Sequence, residues 1–593
     1  MEYLVAECRD SSLARGRTPS PRRVSGDPTP HHSQVQKQTT CLWRVGLSLI
    51  APLAQPQAGV DRLLRQHTRA HPEQIAVREF RNGQLEERTF KELDHLVDQT
   101  CHALIQRGIR RGMRTVLMVP PGREFLACTF ALLRIGAPPV LVDPGLGISG
   151  LKSCLDRARP EAFVGVSKAH WARVLLGWSR STIQHRFGVG EGPFPPGTYH
   201  LTDLRKKIPS MVPYEGPVLD RDELAAILFT SGSTGPAKGA MAHHGQLEAQ
   251  VEALARCHQL SPGEVDLPTF PLFGLFGVAI GMTSVVPVMD FTKPAKADPQ
   301  HLLDLIKNFK VTNLFASPAL LKSLSDYLHT SGQKIEGLRR IISAGAPARH
   351  EEIERLAMHV TAETAIETPY GATEGLPLCH TSHQKILETR DHTLAGEGVY
   401  IGAPVAEVQM QIVEPSGNPE DQPLPTDTVG EIWVTGSTVS RGYLFDESAN
   451  HDHKYLDSSG RIWHRTGDIG TRDQNGDIWF RGRTSQRIHT AHGPIDTVAT
   501  ERMFEGHQGV FRTALVGVGP YGSQRPILCV EPDPTTKIPH QQIRDELTTL
   551  AKQNPLTTLI EAIVITGPFP VDIRHNAKIQ REVLATRLGG YLS

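Results

Sequence analysis

No cysteine pair, no surplus of one charge and no unbroken apolar run of membrane-spanning length occurs in this 593-residue chain. The eight cysteines (Cys8, Cys41, Cys101, Cys128, Cys154, Cys257, Cys379 and Cys529) are scattered, without a CxxC pair or a Cys/His cluster at zinc spacing. Neither a disulfide framework nor a structural zinc site is therefore indicated, and a reducing cytoplasm is the expected compartment. The 63 basic residues balance the 63 acidic ones, so no net electrostatic pull on nucleic acid or an anionic membrane is expected. The uncharged stretch Leu267 to Met289 is broken by Pro268, Pro271 and Pro287 and has no basic flank close enough to anchor it. It reads as a buried core or pocket wall and not as a transmembrane helix.

What is present is a soluble, multidomain composition: 39% hydrophobic and 21% charged residues over a length that exceeds one ordinary core. Residues 1–45 are rich in Ser, Pro, Arg, Thr and Gln, with few large apolar side chains, and are expected to be disordered. One expectation that follows is a natural start site downstream of Met1. Order is expected from near Val60. Thr89-Phe90-Lys91-Glu92 places a capping hydroxyl three residues before a glutamate, and Leu93, Val97, Cys101, Leu104 and Ile105 follow at helical spacing. The apolar run Val116 to Val119, a helical stretch from Glu124 to Ile135 and a second run Pro139 to Val142 form the alternation that builds a parallel sheet with helices on its faces. The pattern predicts an α/β body over residues 46–482 and a small α+β domain over 483–593. In the latter, strands are expected at Ala514 to Val518 and near Ile527 to Val530, and a helix around Gln541 to Lys552.

The sharpest motif is Thr230-Ser231-Gly232-Ser233-Thr234-Gly235-Pro236-Ala237-Lys238-Gly239, directly after the apolar strand Ala225 to Phe229. Glycines let the backbone turn tightly and bring N–H groups to a polyphosphate; the hydroxyls donate further hydrogen bonds and Lys238 adds a positive charge. The Gly-Lys-Ser/Thr ending of a Walker A loop is absent, which removes the usual P-loop kinase and GTPase readings.

This loop resembles the signature of the adenylate-forming superfamily, which includes acyl-CoA synthetases, nonribosomal adenylation domains and beetle luciferases. Five further segments resemble that superfamily in the right order. They are Ser343-Ala344-Gly345-Ala346-Pro347, Tyr370-Gly371-Ala372-Thr373-Glu374, Thr466-Gly467-Asp468, Gly482-Arg483 and Lys578. The resemblance covers roughly residues 60 to 590 and implies a large nucleotide-binding domain of parallel-rich sheets with flanking helices, plus a small mobile C-terminal domain. It implies ATP as substrate and Mg2+ as its counter-ion. Tyr370 would lie against adenine, with Gly345, Ala346 and Pro347 leaving room on the other side, and Gly371 belongs to the same nucleotide-binding set. Thr373 would hydrogen-bond the α-phosphate. Glu374, with Thr234, would hold the magnesium, hard oxygen ligands for a hard cation. Asp468 would accept from the ribose hydroxyls and Arg483 would add a charged donor beside them. Lys578, brought in by the small domain, would neutralise charge gathering as the carboxylate attacks phosphorus, with Lys238 and Glu374 the other catalytic groups.

Two positions depart from coenzyme A ligases: Ser485, two residues after Arg483, and Gly274 in Phe270-Pro271-Leu272-Phe273-Gly274. Closer similarity is to the olefin β-lactone synthetases of bacterial long-chain olefin biosynthesis. It is carried by Val265 to Pro271, Pro294 to Pro299, Arg483 to Arg487 and Asp572 to Lys578. That resemblance implies a 2-alkyl-3-hydroxy fatty acid whose own hydroxyl attacks the acyl-adenylate and closes a four-membered lactone, and thiolase-like and hydrolase-like pathway enzymes as partners. A medium- or long-chain fatty acyl-CoA ligase is the alternative. No residue is assigned as the base for ring closure; His243 and His244 stand near the phosphate loop in sequence but are read as core or surface histidines.

Overall fold

The computed structural model describes residues 58–209, 212–230, 237–347, 349–571 and 579–589. The expected disorder of residues 1–45, the loop from Ser231 to Pro236 and Lys578 lie outside the described residues.

Short apolar runs punctuated by glycine and proline form three large sheets. The first runs, in spatial order, Tyr199–His200, His185–Val189, Ala162–Val166, Thr115–Met118, Pro139–Val142, β1 (Leu224–Thr230) and β2 (Lys238–His243). Its neighbours are parallel apart from β1 and β2, an antiparallel pair with Thr230 opposite Lys238. β1 and β2, the strands on either side of residues 231–236, are thus paired with each other, and the segment after the motif is a strand. Helix α1 (His244–Cys257) crosses to the second sheet, which contains β3 (Val265–Pro268), β4 (Asn313–Phe315), β5 (Arg340–Ile342) and β6 (Ala365–Glu367), with helix α2 (Pro271–Ile280) following β3. The spatial order is β6-β5-β4-β3, then Thr283–Val286, Ile75–Arg81 and Gln84–Thr89, parallel except for the last hairpin. The strands of the second sheet are largely buried, and Asp266, Asn313, Arg340 and Glu367 stand among their apolar residues as buried polar groups.

The third sheet is antiparallel and carries β7 (Tyr370–Ala372), β8 (Gly375–His380), β9 (Ile462–Arg472) and β10 (Ile478–Arg483). Its central order is β8, Val399–Pro404, β10, β9, Gly430–Gly436. After β10 a separate three-stranded sheet forms from Val510–Val518, Arg525–Pro532 and Ala562–Ile565, with helices His540–Ala551 and Arg581–Gly589 beside it.

Local signals were reliable guides. Thr89 accepts from the Glu92 amide while the Glu92 carboxylate accepts from the Thr89 amide, the reciprocal cap that starts helix Phe90–Gln106. Helix Arg123–Ile135 ends at Gly136, whose φ of 76° is a left-handed conformation that glycine adopts without steric cost. The uncharged stretch resolves into β3, α2 and Thr283–Val286, and no helix among the described residues is long and apolar enough to cross a membrane.

Candidate active site

Strand register brings the first group together. Asp468 on β9 faces Arg483 on β10, and Arg483 Nη1 donates to Asp468 Oδ1 at 2.7 Å and to the Thr466 carbonyl at 3.2 Å. Tyr370 Oη donates to the other carboxylate oxygen, Oδ2. Burial, then the Asp468 charge, pushes the Tyr370 phenol well above its usual range, so it stays a neutral donor. The Asp468 carboxylate raises the Arg483 pKa, and Arg483 Nε is buried without a partner among the described residues. Such an orphaned donor beside a carboxylate fits a ligand rich in hydroxyls, as a ribose is.

Glu374 stands in the turn between β7 and β8, where Ala372 pairs with Gly375, and Thr373 shares that turn. Glu374 Oε1 accepts from Tyr443 Oη at 2.7 Å. Tyr443 in turn forms a backbone bridge with Ala240 on β2, and the Leu444 amide donates to the Gly239 carbonyl at 2.9 Å. The return strand of the phosphate hairpin is therefore stitched to the segment that holds Glu374. Lys238 Nζ lies 2.6 Å from His453 Nε2 and 5.6 Å from the Tyr443 ring centre. On the same ring, at 5.4 Å, sits Lys454, whose Nζ donates to the Ser440 carbonyl at 2.6 Å and hydroxyl at 2.9 Å. Burial pushes the Lys454 pKa down to about 7 against the pull of Glu374, and burial followed by Lys238 lowers that of His453. Glu374 is half-buried, and its carboxylate is a hard oxygen ligand of the kind Mg2+ takes, while the cations around it suit a polyphosphate.

Gly345, Ala346 and Pro347 follow β5, where the Ser343 amide donates to the Glu367 carbonyl at 2.9 Å, and Gly345 adopts φ 110°. They lie at the end of β5, next to β6, whose chain continues through Gly371 in β7. Tyr370, Asp468 and Arg483 are thus in direct contact, and Glu374 and Lys238 share Tyr443. Ser231, Gly232, Ser233, Thr234, Gly235 and Lys578 lie outside the described residues. His243 pairs with Leu224 at the far end of the hairpin from Lys238, about 17 Å away at the rise of a strand.

Two groups went unmarked in the sequence. Tyr443, His453 and Lys454 belong to no motif singled out there, although Arg441-Gly442-Tyr443 is a compact candidate signal. Beneath the site, His258 donates from Nδ1 to Glu367 Oε2, and His380 Nε2 lies 3.5 Å from Glu367 Oε1. These are the three side chains, among the described residues, whose potential metal-ligating atoms fall within 4.8 Å of one another. Each carboxylate oxygen faces an imidazole, that of His258 through a hydrogen bond and that of His380 by proximity alone. Burial would raise the Glu367 pKa, but the two neighbouring histidines bring it down to about 2. Above this cluster α2 supplies an aromatic wall: Phe273 stacks on Phe315 with ring centres 3.7 Å apart and lies edge-on to Phe276.

Residues 64–444 match the AMP-binding enzyme family. The chain is 41% identical over 545 residues to an olefin β-lactone synthetase of Xanthomonas campestris pv. campestris, covering 89% of this chain and 96% of that one. A second olefin β-lactone synthetase, from Stenotrophomonas maltophilia, is 40% identical over 513 residues, 84% of this chain and 90% of that one. Among solved structures, the amide bond synthetase of Marinactinospora thermotolerans superposes with a TM-score of 0.73 at 20% identity, over 89% of this chain and 99% of that one. ATP-bound MatB of Rhodopseudomonas palustris gives the same TM-score and identity over 91% and 100%. These two likenesses establish the fold.

Proposed function

The chain belongs to the AMP-binding enzyme family, and on that premise we propose that it joins a 2-alkyl-3-hydroxy fatty acid to AMP and cyclises it to a β-lactone. The observation that carries this reading is the similarity to olefin β-lactone synthetases along nearly their whole length. The geometry supports its first half. Asp468, clasped by Tyr370 and Arg483, offers a buried carboxylate and a spare guanidinium N–H to a ribose. Glu374, with Thr234, is the proposed magnesium site, where the ion would draw charge from the phosphate oxygens. Lys238 and, from the small domain, Lys578 are the proposed phosphate cations.

In the first step a carboxylate oxygen of the acid bonds to the α-phosphorus of ATP and pyrophosphate leaves. In the second the 3-hydroxyl oxygen bonds to the acyl carbon, the acyl–phosphate bond breaks and AMP departs. Holding hydroxyl and carbonyl together replaces a bimolecular encounter, which offsets ring strain. The aromatic wall of α2 suits the alkyl chains, at about 0.8 kcal/mol per buried methylene. We place the protein in the cytoplasm, with a body over residues 46–482, a mobile small domain over 483–593, and thiolase-like and hydrolase-like enzymes as pathway neighbours. Incubation with Mg-ATP and a 2-alkyl-3-hydroxy acid, with and without coenzyme A, tests the reading by mass analysis. Lactone in both samples is expected. Acyl-CoA as the only product would replace the lactone assignment with a ligase.

A further inference from the structure

Lys238, the proposed phosphate cation at the end of the glycine-rich motif, ends against two neutral groups. Its Nζ lies 2.6 Å from His453 Nε2 and 5.6 Å from the centre of the Tyr443 ring. An ammonium can only donate, so Nε2 is the acceptor and carries no proton. His453 Nδ1 lies 3.2 Å from the Arg465 carbonyl oxygen, which can only accept, so Nδ1 carries the one ring proton. The two contacts assign the same species, a neutral imidazole. Burial, then the charge of Lys238, lowers the His453 pKa and favours that neutral form.

Local structure fixes where that imidazole stands. The Asp446 carboxylate accepts from the Ala449 amide at 3.1 Å, which starts the helix Glu447–His453, and its other oxygen accepts from Arg157 Nη1 at 2.7 Å. His453 closes the helix. The strand Lys454–Leu456 follows directly and pairs with β9, Lys454 opposite His464. His464 Nδ1 donates to the His453 carbonyl at 3.2 Å. Arg465, whose carbonyl holds the His453 ring, stands three residues before Asp468 on β9, about 10 Å at the rise of a strand. One strand thus sets the distance between the phosphate lysine and the proposed ribose carboxylate.

A neutral partner has an electrostatic consequence. A carboxylate in the place of His453 would hold the ammonium at least as firmly, but it would cancel the charge that attracts a phosphate. A neutral imidazole takes one of the three N–H groups and leaves two, with the whole positive charge. Holding the four-carbon side chain in place beforehand also removes part of the rotamer entropy that phosphate binding would otherwise cost. Lys238 and His453 are both half-buried, so neither is sealed from an incoming ligand.

Resting on the ATP-binding half of the reading above, we propose that His453 is a positioning residue that holds the Lys238 ammonium ready for the ATP phosphates without neutralising it. Phosphate oxygens accept from the N–H groups that His453 leaves free. The imidazole acts through Lys238 alone: it neither gives nor takes a proton in either step of the reaction.

The test measures by calorimetry the affinity for Mg-ATP and for adenosine, which bears no phosphate, in wild type, His453→Leu, His453→Gln and His453→Glu. In His453→Leu the affinity for ATP should fall about tenfold, the scale of the rotamer entropy of one long side chain, while that for adenosine holds. A purely structural role would lower both together. His453→Gln, which offers a neutral carbonyl acceptor, should bind ATP more tightly than His453→Leu. His453→Glu, which offers a charged one, should bind ATP no better than His453→Leu. The Gln–Glu contrast decides the matter if His453→Leu does not fold. Unchanged ATP affinity in His453→Leu, a parallel loss of adenosine, or His453→Glu binding ATP as tightly as His453→Gln would overturn the proposal. Wild-type protein that takes up no Mg-ATP would instead overturn the functional reading, so the two failures are told apart.

Discussion

Asp468 accepts one bond on each oxygen, from Arg483 on one and Tyr370 on the other, so its charge is what holds two donors on one point. Asp468→Asn keeps the shape but turns an N–H toward one of those donors. Calorimetry should show ATP affinity falling about tenfold or more, in line with a charge-assisted hydrogen bond worth roughly 1.5 to 3 kcal/mol; unchanged affinity would remove Asp468 from the site. Asp266 gives a pH prediction. Burial lifts its pKa from 3.8 to about 7. Between those values the folded protein keeps a proton that the unfolded chain has released, so stability falls as pH rises through that window and the loss is complete above about 7. Asp266→Asn stays neutral throughout. Its melting temperature should therefore gain on wild type between pH 5 and pH 8; parallel curves would show that Asp266 is ionised when folded. The proposed nucleotide residues could be picked out of the chain because each sits in a short motif and the motifs follow in order. The Tyr443–Glu374 and His258–Glu367 contacts could not, since 69 and 109 residues separate the partners and only sheet order brings them together.

At the scale of elements, helix α2 is where packing meets chemistry. A Cβ on Gly277 would stand 2.9 Å from Asp266 Oδ2, a buried carboxyl that has no room to move away. Gly277→Ala should therefore lower stability by about 1 to 3 kcal/mol in chemical denaturation; an unchanged midpoint would show that the helix shifts to make room. Helix Phe90–Gln106 makes the contrasting case. Losing its reciprocal cap in Thr89→Ala should cost about 1 kcal/mol in chemical denaturation and leave turnover alone. Capping boxes, apolar runs and glycine stops act over a few residues, so strands such as β1 and helices such as Arg123–Ile135 could be read off the chain directly. The antiparallel pairing of β1 with β2 could not, because it depends on the whole sheet.

For the whole molecule, the alternation of apolar runs and helical stretches made the α/β body and the small C-terminal sheet legible. The docking of one on the other was not, because it rests on isolated surface side chains. Phe511 of the small sheet lies 5.4 Å from Lys322 Nζ and 5.3 Å from the Arg349 guanidinium of the body. Proposed motion of that small domain carries Lys578 to the phosphate. Lys578→Ala should therefore slow pyrophosphate release about 100- to 1,000-fold while calorimetric ATP binding persists; undiminished release would end its catalytic assignment. The account as a whole turns on the acid's carboxylate becoming bonded to AMP before its own hydroxyl displaces it. Supplying an acid labelled with 18O in both carboxylate positions reads this out in one mass spectrum. One label in the AMP phosphate and one in the lactone carbonyl is the predicted outcome; unlabelled AMP with both labels kept in the lactone would contradict it.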